Sequence, residues 1–182
     1  MATLFVDKID PQSGTSLEIG SSGDTITIPS GATITNSGTA TGFAGTGRII
    51  QTVQATDGSN LSSSSTSYVD TGLTASITPG ATSSKILVLV SMGAFGADAA
   101  GSGGAYIKLL RDSTDLIIHG SMGAHPTITY IYTAGTSFSY LDSPSSTSSL
   151  TYKTQFKSGG GENFVTDNAS TASITLLEVS QW

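Results

Sequence analysis

The feature that most constrains this chain is how briefly its apolar residues run before a turn signal stops them. The longest uninterrupted apolar stretch is 86–90, Ile-Leu-Val-Leu-Val. Elsewhere β-branched and aromatic residues alternate with Ser, Thr and Gln at strand period, and no segment sustains the 3.6-residue period of a helix. Between the runs lie turn formers: Asp57-Gly58, Pro79-Gly80, the Gly-Ser-Gly-Gly of 101–104, Asp112-Ser113-Thr114, Ser143-Pro144 and the three glycines 159–161. The pattern predicts strands at 48–55, 67–77, 85–95, 105–111, 116–119, 127–132, 136–141, 149–156 and 172–179. Short strands in this number, with turns between them, predict an all-β fold, an antiparallel β-sandwich of jelly-roll type.

A half-buried strand would alternate, but 86–90 is apolar at every position. It is therefore expected centrally, with one face in the core and the other at a subunit contact. Tyr130, Tyr132, Phe138 and Tyr140 form a second stripe, which ordinary core burial explains first.

Residues 1–47 have a different texture. Short apolar pairs (Leu4 and Val6, Leu17 and Ile19, Ile26 and Ile28, Ala32 and Ile34) are separated by the turn-rich stretches 10–14, 20–24 and 29–31. Ordering a backbone costs roughly 1–2 kcal/mol per residue, and one copy of this segment has too few apolar side chains to offset that. Three copies around an axis would bury the isoleucines together and pair strand edges between chains. The expected organisation is a short intertwined or β-helix-like attachment segment and shaft at 1–47, followed by a sandwich knob at 48–182, as a homotrimer. Ile26, Ile28 and Ile34 would face the axis, Phe43 would plug a glycine-rich collar at 39–47, and Trp182 would seal the trimer base.

Composition removes several classes of function. The seven Lys and Arg are dispersed and the net charge is -6. A nucleic-acid binder needs a basic patch to displace counterions, and a polybasic membrane contact needs the same. With no cysteine, disulfides and Cys-based zinc sites are excluded, which fits assembly in a reducing bacterial cytoplasm. Asp7, Lys8, Asp10 and Pro11 break any signal-peptide core within 1–20, and 86–90 is far too short to span a bilayer. Only 11% of residues are charged, against about 25% in an ordinary soluble domain. A hydroxyl-rich surface without an export signal fits release in a phage particle at lysis.

Several stretches resemble a known class of protein. VDKIDPQSGTSLEIGSSGDTITIPSGATI at 6–34 is similar to the N-terminal stretch of fibre-like virion proteins of marine bacteriophages and cyanophages. TSSKILVLVSM at 82–92, LLRDSTDLI at 109–117, LDSPSSTSSLTYK at 141–153 and SITLLEVSQW at 173–182 resemble the knob often joined to it. The resemblance implies a homotrimeric virion structural protein, a tail fibre or spike taking part in host attachment at the virion surface, with no catalytic residues. It also implies contact with other virion proteins through the N-terminus, for which Leu4, Val6, Leu17 and Ile19 are the candidate residues. There is no long shaft of many repeats, so a capsid decoration or head-fibre protein docked on the shell is the alternative.

The chemistry-bearing residues favour no enzyme. Glycoside hydrolysis usually needs two carboxyl groups across the bond, and the chain has three Glu (Glu18, Glu162, Glu178) and ten Asp. Asp112 and Asp115 flank a Ser-Thr turn, a common hairpin composition. His119 and His125 lack the further ligands of a zinc site, no nucleophile elbow is present, and Gly103-Gly104 is not followed by the Lys-Ser/Thr of a phosphate loop. No cofactor or metal is expected. If the knob holds a host glycan, the loops 96–104, 119–126 and 158–168 are the expected surface, with Asp98, His119, His125 and Phe164 as candidates. Phe164 and Tyr106 offer sugar-stacking rings, although core packing explains both more simply.

Overall fold

The computed structural model describes residues 9, 11, 13–33, 35, 37, 48–97, 105–122, 132–160, 163–164 and 170–180. The chain divides into two compact units, residues 1–43 and 44–182.

Among its described residues the first unit has turns but no strand or helix. Asp24 N–H donates to the Ser21 carbonyl (3.0 Å), and the Asp24 carboxylate accepts the Ser21 N–H (2.7 Å), closing one turn from both sides. A second turn is closed by Ala32 N–H on the Pro29 carbonyl (3.1 Å). The turn signals thus act as read, but the short strands expected at 17–19 and 26–28 do not form. A strand needs a neighbouring edge for its N–H and C=O groups, and among the described residues of this unit there is none. Every described residue up to 37 is exposed except half-buried Pro11. Leu17, Ile19, Ile26 and Ile28 are 45–62% exposed.

The second unit is all-β: β1 Ile49–Asp57, β2 Ser62–Ser63, β3 Val69–Ile77, β4 Lys85–Ala97, β5 Ala105–Arg111, β6 Thr114–Met122, β7 Tyr132–Asp142, β8 Leu150–Ser158, β9 Asn163–Phe164 and β10 Ala172–Val179. The strands form two antiparallel sheets. One is six-stranded, ordered β1-β10-β4-β9-β2 with β7 also on β4; the other is four-stranded, ordered β3-β8-β5-β6. Setting the two-residue strands aside, eight long strands pair first with last (β1 with β10), second with second-last (β3 with β8), third with third-last (β4 with β7) and the middle two together (β5 with β6). That is one long antiparallel strip rolled on itself. The roll is closed by β10 on β4 in one sheet and β5 on β8 in the other. This is a jelly-roll strand order; the sequence predicted an antiparallel sandwich of this type but not the order of its strands.

Alternation sets the core. β10 and β8 alternate buried and half-buried residues along their whole length. Ile86, Val88, Val90, Ile174 and Leu176 from one sheet meet Leu73, Ile77, Ile107, Leu109, Tyr152 and Phe156 from the other. Each large apolar side chain so buried contributes about 1.5–3 kcal/mol. Phe138 and Tyr140 pack against this core, as their composition suggested. Of the strand expected at 127–132, only Tyr132 is described, and it opens β7.

A buried polar knot ties the sheets together. Asp142, at the end of β7, accepts the Tyr152 hydroxyl (2.6 Å) and the Arg111 guanidinium (2.6 Å) on one carboxylate oxygen. The other oxygen accepts the Ser143 N–H (2.9 Å). Tyr152 is fully buried, and burial, then the bond to Asp142, push its hydroxyl well above the usual tyrosine range. Two backbone positions need special geometry. Asp112 takes the left-handed conformation (φ 52°) in the β5–β6 turn, and its carboxylate accepts the Thr151 N–H (2.9 Å). Gly72 (φ 89°) sits at the irregularity in β3, where a Cβ would lie 2.5 Å from the Asp57 carboxylate.

Candidate functional site

The residues that alternate away from the core give the two sheets different outer surfaces. On the six-stranded sheet, the register aligns four rows across β1, β10, β4 and β7. Thr52, Leu177, Leu87 and Leu141 form one row, Gln54, Thr175, Leu89 and Ser139 the next, and Thr56, Ser173, Ser91 and Ser137 the third. At the end where the chain enters, Ile49 pairs with Val179, and Val179 with Lys85. Lys85 is the one ionisable residue in these four rows. Leu89 is 40% exposed and Leu141 50% exposed, with Ile49 and Ile50 exposed at the entering corner. Thus the second face of 86–90 is an open apolar surface, Leu87 and Leu89, edged by serine and threonine. A shallow depression of about 510 Å³ lies here, lined by Leu89, Ser91, Ser137, Ser139, Ser173 and Thr175 among others.

The outer face of the four-stranded sheet is mainly ionic instead, with one exposed apolar residue, Ile118, across from Lys108. Lys153 pairs with Asp70 (3.0 Å) and Lys108 with Asp115 (2.7 Å). Gln155 also donates to Asp70 (2.7 Å). That amide bond, together with Lys153 and against some desolvation, holds the Asp70 carboxyl below its ordinary range. A smaller depression, about 170 Å³, opens beside Asp70, Gly72, Thr74 and Lys153, where β3 is irregular.

The sequence-nominated residues are scattered over these surfaces. Leu17, Ile19, Ile26 and Ile28 lie in the first unit, all exposed; Leu4, Val6, Ile34, Phe43 and Trp182 lie outside the described residues. So do Asp98 and His125. Phe164 lies in β9. His119, where the sequence reading ended the strand and began a loop, lies within β6, which continues through Gly120 to Met122. Its ring stacks on Phe138 (centroids 4.7 Å apart, planes at 19°), and its Nε2 is 3.3 Å from the Thr136 hydroxyl. The geometry makes it a packing contact between β6 and β7. Sequence reading missed Leu141 and Leu177, since each directly follows a core-facing residue, Tyr140 or Leu176, and only register aligns it with Leu87 on the outer face. Among the described residues no group of three or more His, Asp or Glu is placed to hold a metal ion.

No protein-family model matches the chain, and no curated protein matches it. Among solved structures, it is similar to the VP2 subviral particle of infectious bursal disease virus, with 14% identity and a TM-score of 0.42 over 72% of this chain and 33% of that one. It is also similar to the T=1 particles derived from the same virus, with 16% identity and a TM-score of 0.42 over 71% of this chain and 32% of that one. The chain thus spans about a third of the length of these proteins.

Proposed function

We propose that this chain is a structural protein of a bacteriophage particle, a short homotrimeric spike whose N-terminal segment attaches to the virion and whose jelly-roll knob projects. One observation carries this reading: the sandwich has a complete core, whereas every large apolar side chain described in the first unit is exposed. A segment with that surface is stable only against something else. The resemblance of 6–34 to fibre-protein N-termini supplies the partner, other virion proteins together with two further copies of the chain. The knob contributes to the trimer through the outer face of its six-stranded sheet. Ile49 begins β1 at the apolar corner of that face. Among its described residues that face carries no acid, so it can meet its own copy with little like-charge repulsion.

Light scattering on the full chain tests the assembly; a stable folded monomer at micromolar concentration would sink it. Antibody labelling of intact particles tests the location. The short first unit, with turns and no repeated shaft among its described residues, also favours a second reading, a capsid decoration or head fibre. Label on the capsid shell and not on the tail would select it.

A further inference from the structure

One group on the four-stranded sheet is left out of its ion pairs. Lys157 lies directly across from Tyr106 in the β5–β8 register. On its other side, Tyr68 precedes β3 by one residue, next to the Val69 that pairs with Phe156. The three side chains form a row, Tyr68, Lys157, Tyr106. The Lys157 ammonium is 5.2 Å from the centroid of one ring and 5.1 Å from the other. Lys108 closes the row from the neighbouring position, 4.4 Å from the Tyr68 ring, while it is bound to Asp115. Lys108, Arg111 and Lys153 each have a carboxylate; no described carboxylate lies within ion-pair distance of Lys157.

The row is a fixed device. Two aromatic faces hold one ammonium by cation–π attraction, about 0.5–1 kcal/mol each at exposed sites, without satisfying its N–H donors. Those donors call for an anion. Burial and the nearby Asp115 carboxylate raise the Tyr68 hydroxyl above its ordinary value, so it stays protonated and can donate. The two rows beyond supply the opposite chemistry: Asp70 lies in the next, across from Gln155, and Asp115 in the one after, across from Leu110, and their carboxylates are each more than half exposed and each already neutralised by a lysine. They can accept hydrogen bonds from hydroxyl groups. A cation, ring edges and hydroxyl acceptors on neighbouring rows match a ligand bearing one anionic group on a polyhydroxylated ring.

We propose that the Tyr68–Lys157–Tyr106 row binds an acidic sugar residue, carrying a carboxylate or sulfate, within a surface polysaccharide. This deepens the attachment reading above and rests on it for the source of the saccharide. The anion sits on the Lys157 ammonium and the tyrosine hydroxyls, and the ring hydroxyls reach Asp70 or Asp115. The expected glycan surface was a set of loops; this site is a strand face.

Calorimetric titration of the full chain with polygalacturonate oligomers, sulfated dextran oligomers and neutral dextran oligomers of equal length tests it. Binding is expected to at least one of the first two and not to the third, and which of the two binds separates carboxylate from sulfate. Affinity should fall with added salt. Lys157→Gln should weaken binding by about tenfold or more, Lys157→Arg should keep most of it, and both should melt like the parent. Binding to neither acidic oligomer, or equal binding by Lys157→Gln, overturns the proposal. The virion reading is judged separately, by whether Lys157→Gln protein is still incorporated into particles; its absence together with that of the parent would count against the virion role while leaving the binding result intact.

Discussion

The two outer faces of the sandwich are built by the same rule and carry opposite chemistry. In both, alternate residues enter one shared core, and the residues between them face out. On the six-stranded sheet these are mainly leucine, serine and threonine, with Gln54 and, at the entering edge, Ile49, Val179 and Lys85; on the four-stranded sheet they include Lys108, Asp115, Asp70, Lys153 and Lys157 with two tyrosines, beside one exposed apolar residue, Ile118. The core therefore does not determine which face does what. An apolar, nearly uncharged face favours a large contact with a like surface, and a face of paired charges favours water or a polar ligand. On the proposed reading, one side of the jelly roll assembles and the other recognises.

The largest expected effect removes both faces at once. Asp142→Ala leaves the Tyr152 hydroxyl and the Arg111 guanidinium without their shared acceptor between the sheets, and should destabilise the fold by about 3–5 kcal/mol, read by urea denaturation. The same knot sets an alkaline limit. Because Tyr152 is raised in the folded state and ordinary (about 10) when unfolded, the unfolded chain loses its proton first. Stability should hold through neutrality and fall as pH rises above about 10, and Tyr152→Phe should flatten that fall.

Next come changes that separate the faces. Leu89→Asp with Leu141→Asp should weaken self-association by about 100-fold or more, roughly 3 kcal/mol, as read by light scattering. The melting of the isolated sandwich and its binding to acidic oligomers should not change. Loss of that binding as well would show that the faces are not independent. Smaller still is Asp70→Asn on the ionic face. The pair is exposed, so the loss should be about 0–1 kcal/mol and should shrink in salt. Since Asp70 is lowered in the folded state, its contribution is present above the unfolded carboxyl pKa and lost as pH falls through the folded one. The least effect on the sandwich should come from deleting 1–43: its melting should shift by no more than about 2–4 °C at submicromolar concentration, although association should weaken.

Inward positions were legible in the sequence because burial enforces period two. The predicted strands 105–111 and 172–179 match β5 and β10 end to end, and the turn at Asp112-Ser113 is where expected. Extensions were not legible. β6 runs on through His119, Gly120 and Ser121 because pairing with β5 carries a sequence that alone reads as a loop. The Tyr–Lys–Tyr row was not legible either, since its members come from β5, β8 and the residue just before β3, and only register makes them neighbours. Tyr106 reads as core by composition, yet its register partner Lys157 puts it on the outer side. In the first unit the turns were encoded locally, but strands need a partner edge that its described residues lack.

The pairing of the first strand with the last has a mechanical consequence. Ile49 opens β1 opposite Val179, which closes β10, and Ser180 N–H still donates to the Arg48 carbonyl (2.8 Å). A pull on residue 48 along the axis of β1, resisted by a ligand held on the four-stranded sheet, loads the β1–β10 ladder lengthwise, so its hydrogen bonds from Gln51 to Asp57 share the force. A pull that separates residue 48 from residue 180 would instead open the same ladder one pair at a time. Tethering through the entering strand, as in the proposed spike, would thus load the ladder in its strong direction.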